Sequence, residues 1–253
     1  MSLAAAPALR ALHLLDLTDL AESCREPAVD ELCARSQTPH GAVAAICIWP
    51  RFVTQARRRL AGSPVAIATV INFPHGGEDL ERAIGDAREA LRDGAREIDL
   101  VMPWKAFLAG DEKTPREMIE AVADEVGPDR VLKVILETGA LAKPEAIARA
   151  CRLAIRAGAN FLKTSTGKTA VSATPEAAEI MLAEIRASGR PVGFKAAGGV
   201  RTLADAQAYL ALADRIMGPQ WASPATFRFG ASGLLDALLS EIGGGPAKAE
   251  GGY

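Results

Sequence analysis

Short apolar runs rich in Val and Ile alternate along this chain with longer segments whose apolar residues recur every three or four positions. Eight runs are read, at 43–48, 65–73, 97–102, 131–136, 160–165, 192–197, 215–217 and 227–231. Nearly continuous hydrophobicity suits parallel strands covered on both faces, and parallel neighbours need a crossover segment between them.

The intervening segments carry helical signals. Residues 79–93 place Leu80, Ala83, Ile84, Ala87, Ala90 and Leu91 on one stripe, and Gly94 follows at the C-cap position. Thr114-Pro115 and Thr174-Pro175 each read as an N-cap followed by proline at the first helical position. Residues 144–157 and 202–213 follow the same scheme, and 8–20 and 27–36 read as extra N-terminal helices that close a barrel floor. Strand–helix alternation through eight strands predicts an α/β fold, a single (β/α)8 TIM barrel. An open doubly wound sheet is the competing architecture. It often has a glycine-rich first turn, and Ile48-Trp49-Pro50-Arg51 offers none. With no repeat and no linker, 1–253 reads as one domain, with 243–253 as a flexible tail.

Composition narrows the function classes. A net charge of -2 supplies no field for nucleic acid or an anionic membrane, so an anionic substrate must be held by a local pocket. The four cysteines, Cys24, Cys33, Cys47 and Cys151, lack C-x-x-C spacing and suit a reducing compartment. Uncharged stretches such as 36–50 and 63–77 hold Pro, Gly and polar residues and fall short of a spanning helix. A cytoplasmic protein is expected. His13, His40 and His75 are scattered without ligand spacing, so no metal site is expected.

Ionisable residues inside the apolar runs point to chemistry. Asp99 lies in Glu-Ile-Asp-Leu-Val, Lys133 in Leu-Lys-Val-Ile, Lys163 in Phe-Leu-Lys-Thr-Ser and Lys195 in Gly-Phe-Lys-Ala-Ala. One buried lysine alone is usually a salt-bridge partner. Three lysines and one acid on adjacent strands leave a lysine short of a counter-charge. A free lysine titrates at about 10.4, and bringing it near neutrality costs about 4 kcal/mol, within reach of partial burial beside a like charge. A neutral amine attacks a carbonyl, and the resulting iminium is an electron sink. The spacing does not choose between Lys163 and Lys195 as nucleophile.

Glycine-rich turns follow the later runs: Thr166-Gly167-Lys168-Thr169, Ala197-Gly198-Gly199-Val200-Arg201 and Phe229-Gly230-Ala231-Ser232-Gly233. Such turns let backbone N–H groups approach an oxyanion, and barrels bind phosphate at their late loops. A P-loop is excluded, because Leu162 stands where the first glycine of that motif belongs.

These motifs, with Leu14-Leu15-Asp16-Leu17-Thr18, Ala45-Ile46-Cys47-Ile48 and Asn72-Phe73-Pro74-His75-Gly76, resemble the deoxyribose-phosphate aldolase family over nearly the whole chain. The resemblance implies a cofactor-free lyase that splits 2-deoxy-D-ribose 5-phosphate into D-glyceraldehyde 3-phosphate and acetaldehyde. It implies Lys163 as the Schiff base, Lys195 beside it lowering its pKa, and Asp99 paired with Lys133 in proton transfer through a water. Gly167, Lys168, Gly198, Gly199, Arg201, Gly230 and Ser232 would hold the phosphate, and Thr18 and Thr166 the substrate hydroxyls. Tyr253 matches a terminal tyrosine that the family places in its site. Cys47, read at the mouth of the first strand, is the expected target of unsaturated aldehydes formed from acetaldehyde. Two positions depart from the family pattern: Gly233, where a second serine is common, and Ala196, where proline is common. The resemblance implies a phosphosugar and aldehydes as partners, and a second copy in a homodimer is expected from the commonness of dimers among soluble enzymes. Competing readings on the same barrel are another class I or transaldolase-like aldolase, and a non-catalytic sugar-phosphate binder.

Overall fold

A computed structural model describes residues 5–243. Eight strands form the centre: β1 Leu15–Asp19, β2 Ala45–Ile48, β3 Ala66–Ile71, β4 Glu97–Val101, β5 Val131–Ile135, β6 Phe161–Lys163, β7 Gly193–Ala197 and β8 Phe227–Ala231. They pair in parallel in chain order, and β1 closes the ring by pairing with both β2 and β8. The fold is a (β/α)8 barrel.

Among the described residues eleven α-helices accompany them: α1 Ala5–His13, α2 Glu26–Arg35, α3 Val53–Arg59, α4 Leu80–Asp93, α5 Trp104–Leu108, α6 Lys113–Val126, α7 Thr138–Leu141, α8 Pro144–Arg156, α9 Pro175–Ser188, α10 Leu203–Met217 and α11 Leu234–Gly243. The caps follow from the sequence. Asp79 and Thr174 accept the third helical N–H of α4 and α9, and Thr202 forms a reciprocal capping box with Asp205 at α10. Gly94 ends α4 in the left-handed region, at φ 119°.

Four readings of the sequence are corrected. Residues 8–20 are not one helix but α1 followed by β1, because the leucines at 12, 14, 15, 17 and 20 fit both a helical stripe and a strand alternation. Residues 215–217 are not a strand but the last turn of α10, where Leu212, Ile216 and Met217 continue the helical spacing against the core. The two errors cancel in the count of eight and move every strand from 43 to 197 one place along. Thr114 does not cap α6: the helix begins a residue earlier, and the Asp111 carboxylate accepts from the Lys113 and Thr114 amides. The supposed floor helices are placed differently too. Helix α2 is the crossover between β1 and β2, while α1 packs on α10 and α11, tied by a two-bond pair from Arg10 to Asp214.

The main apolar core lies between the outer face of the barrel and the helices. Alternation along each strand separates it from the interior. On β8, Phe227 and Phe229 join the helix-side core while Arg228 and Gly230 take the other face; on β7, Phe194 and Ala196 do so while Lys195 and Ala197 alternate with them. A second, smaller cluster of Leu20, Ala45, Cys47, Ala68 and Val70 fills the interior along β2 and β3. Of the expected tail, Gly243 ends α11; the remainder and Tyr253 lie outside the described residues.

Candidate active site

The charged residues of β1 and β4–β8 meet inside the barrel. Asp99 is their hub. Its Oδ2 accepts from Lys163 Nζ at 2.7 Å and Lys195 Nζ at 2.9 Å, and its Oδ1 accepts from Lys133 Nζ at 2.9 Å. Lys195 also donates to Asp16 at 2.5 Å, and Lys133 to Glu97 at 2.5 Å. Arg228 spans Asp16 at 2.5 Å and Glu97 at 2.8 Å beneath them. Four cations therefore face three carboxylates, and all seven side chains are buried.

The neighbours set each amine apart. Burial alone would lower Lys195, yet Asp16 and Asp99 outweigh it and hold the ammonium above the ordinary lysine value. Lys133 is likewise raised over its burial by Asp99, Glu97 and Asp16. At Lys163 burial and the charge on Lys195 outweigh the single carboxylate, so its amine titrates below the ordinary value. Burial would raise Asp99, but the three lysines hold it well below the usual carboxylate range.

Above this cluster opens a cavity of about 350 Å³. Lys163 is the one interior lysine on its wall. Thr18, Thr166, Gly167, Lys168, Gly198, Gly199, Arg201, Gly230 and Ser232 all line it, so the nine residues expected to hold the phosphate and the sugar hydroxyls face one space. No protein acceptor is found among the described residues for the amides of Gly167, Gly198, Gly199 and Ser232. Unspent donors at a cavity wall are the raw material of an anion site. Two of the turn glycines leave no room for a side chain. A Cβ on Gly198, whose φ is 84°, would lie 2.6 Å from Ser172, and one on Gly230 would lie 2.9 Å from Lys195 Cε. A larger cavity, about 550 Å³, lies between the Asn72–Gly77 turn and α4, but none of the interior lysines reaches it. The chemistry, not the volume, marks the smaller one.

Other expectations find their places. Thr166 lines the cavity, but its hydroxyl donates to Glu137 at 2.6 Å. Lys168 donates to the Leu20 carbonyl across the cavity at 2.9 Å. Cys47 is on β2, not on the first strand, and is fully buried with Sγ 4.0 Å from Asp99 and off the cavity wall; burial and Asp99 push its thiol up. Ala196 points into the helix-side core, and Gly233 stands on the cavity wall with open space where a Cβ would go. Among the described residues no helix is long and apolar enough to cross a membrane.

The sequence reading missed Asp16, Glu97, Arg228 and Glu137 as parts of the site. Two had a signal: Glu97 is two residues before Asp99 on one strand face, and Arg228 stands between two phenylalanines. Asp16 was hidden by the helical reading of its strand.

A sequence model of DeoC/LacD family aldolases matches residues 10–239. The chain belongs to the DeoC/LacD aldolase family. A curated deoxyribose-phosphate aldolase of Agrobacterium fabrum is 54% identical to this aldolase over 244 residues, covering 96% of this chain and 94% of the relative. Among solved structures, a candidate deoxyribose-phosphate aldolase from Coccidioides immitis is 29% identical with a TM-score of 0.82, over 92% of this chain and 86% of that one. Another, from Toxoplasma gondii, is 25% identical with a TM-score of 0.87, over 97% and 99%. Residues 10–239 take in β1 through β8, so the family match covers the whole barrel of this DeoC/LacD aldolase.

Proposed function

We propose that this aldolase is a deoxyribose-phosphate aldolase, cleaving 2-deoxy-D-ribose 5-phosphate reversibly to D-glyceraldehyde 3-phosphate and acetaldehyde. The observation that carries the reading is Lys163: it alone of the three interior lysines opens on the cavity, and it alone is pushed below the ordinary lysine value. A neutral Lys163 Nζ adds to C1 of the open-chain sugar, and loss of water gives the iminium. Removal of the C3 hydroxyl proton then sends the C2–C3 bonding electrons into the iminium. Glyceraldehyde 3-phosphate leaves, the remaining enamine is protonated at C2, and water releases acetaldehyde and the free amine.

Asp99, 2.7 Å from the reacting nitrogen, relays the protons through a water, with Lys133 anchoring its other oxygen. Lys195 keeps its positive charge beside Lys163 and so keeps that amine nucleophilic. The glycine turns with Lys168, Arg201 and Ser232 hold the phosphate, and Thr18 and Thr166 face the sugar hydroxyls. The iminium is itself the electron sink, so the reaction calls for no cofactor. We assign the chain one domain, a cytoplasmic setting and a homodimeric assembly, the last read out by light scattering. Neither nucleic acid nor membrane is a partner.

Borohydride trapping with acetaldehyde, followed by peptide mass mapping, tests the assignment. A stable adduct on Lys163, absent from Lys163→Ala, is expected, and deoxyribose phosphate should release acetaldehyde. A folded wild-type sample without an adduct overturns the aldolase reading, and an adduct on Lys195 reverses the two lysine roles. Crotonaldehyde inactivation that leaves Cys47 unmodified removes that cysteine as the site of damage.

A further inference from the structure

We infer that Glu137 is a positioning residue for phosphate, a brace that fixes the loop after β6 so that its amides face the bound anion. The inference rests on the phosphate reading of the smaller cavity. Glu137 follows β5 and is fully buried, with its backbone in the left-handed region at φ 57° and ψ 59°, where a side chain other than glycine is seldom found. An outlier of this kind persists only where the surroundings enforce it. Here they do. The carboxylate accepts the Thr166 hydroxyl at 2.6 Å, the Thr169 hydroxyl at 3.1 Å and, more weakly, the Thr166 amide at 3.4 Å.

The turn and the loop are locked together elsewhere as well. The Thr138 amide donates to the Thr164 carbonyl at 2.9 Å, and a Cβ on Gly139 would lie 2.0 Å from the Val171 carbonyl oxygen. Between the anchored Thr166 and Thr169 lie Gly167 and Lys168, both on the cavity wall. The Thr166 hydroxyl oxygen in turn accepts the Lys168 amide at 3.1 Å, leaving the Gly167 amide unspent. Among the described residues no lysine or arginine pairs with Glu137, so its partners are hydroxyls and an amide of one loop. A carboxylate so close to an anion site repels the anion. Its place is explained by the loop geometry it enforces, and neutral glutamine, which keeps one acceptor oxygen, should serve nearly as well.

The test compares Glu137→Ala, Glu137→Gln and Thr169→Val with wild type on 2-deoxyribose 5-phosphate and on unphosphorylated 2-deoxyribose. For Glu137→Ala the KM for the phosphorylated sugar should rise about tenfold or more, the effect of losing hydrogen bonds to a charged group. Its kcat/KM for the unphosphorylated sugar should fall by a clearly smaller factor, through Thr166 alone, and acetaldehyde trapping at Lys163 should persist. Glu137→Gln should restore most of the loss, and Thr169→Val, a change at an exposed position, should give a smaller rise of the same kind. Equal losses on both sugars, or an unchanged KM in Thr169→Val and Glu137→Ala alike, overturn the brace. If Glu137→Ala fails to fold, Thr169→Val and Glu137→Gln decide by the same two-substrate ratio. Inorganic phosphate titrated by calorimetry separates this from the reaction itself. Wild type that binds phosphate but traps no acetaldehyde fails the aldolase reading alone, and weakened binding in Thr169→Val then still supports the brace.

Discussion

Lys195 donates to two carboxylates and never reaches the cavity, yet its charge bears on every turnover through Lys163. Replacing it by methionine removes a cation beside Lys163 and leaves Asp16 and Asp99 less well paired. Both changes favour protonated Lys163 and so raise its pKa. Activity requires the neutral amine, so the rising limb of kcat/KM against pH should move to higher pH in Lys195→Met, and borohydride trapping near neutrality should slow at least tenfold. An unmoved limb would remove Lys195 from this role. At Gly233 open space remains on the cavity wall, and Gly233→Ser offers the phosphate one more hydroxyl. KM for the phosphorylated sugar should fall about threefold to tenfold, in keeping with one hydrogen bond of ordinary net strength, while that for 2-deoxyribose stays constant. Asp99 and the three lysines were legible in the sequence because charge inside an apolar strand is conspicuous. Glu137 was not, because its meaning depends on hydroxyls about thirty residues away that only the closed barrel brings near.

At the scale of elements, strands with charge on one face depend on the other face for their hold. Phe227 packs against Phe194 and Phe229 at centroid distances of 5.5 and 4.9 Å, on the side of β8 opposite Arg228. Phe227→Ala should cost about 3–5 kcal/mol, measured by urea unfolding, and a loss below 1 kcal/mol would mean that the charged interior carries β8 instead. Seven of the eight strands, together with α4 and the helices from α8 to α10, could be read from periodicity and caps, since Gly94, Thr174 and Thr202 announce boundaries of α4, α9 and α10. The failures lay where two periods agree. Leu12 to Leu20 satisfies both, and 215–217 is apolar but too short to be told from a helix end. The lost strand was the one that closes the barrel, and with it went Asp16.

For the whole molecule, the proposed phosphate site straddles that closure. Its walls come from the ends of β1, β6, β7 and β8, so an anion bound there bridges the first strand and the last. Inorganic phosphate at about a hundred times its Kd should stabilise the fold by about 2.7 kcal/mol, raising Tm by several degrees. Gly198→Val, which drives a Cβ into Ser172 and Gly167, should abolish the increment while the ligand-free barrel still melts cooperatively. A wild-type Tm indifferent to phosphate would place the anion elsewhere.

The seven buried charges have a consequence for the order of events. When Lys163 is in the neutral form that attack requires, the cations Lys133, Lys195 and Arg228 match the carboxylates Asp16, Glu97 and Asp99 one for one. Forming the iminium, with its proton drawn from solvent, adds one positive charge beside these buried side chains. Collapse to the enamine takes it off nitrogen and passes an equal charge, as the C3 hydroxyl proton, to the proton relay. The excess charge therefore stays in the barrel from iminium formation until hydrolysis frees the amine, and breaking the carbon–carbon bond only moves it from Lys163 to its buried neighbours.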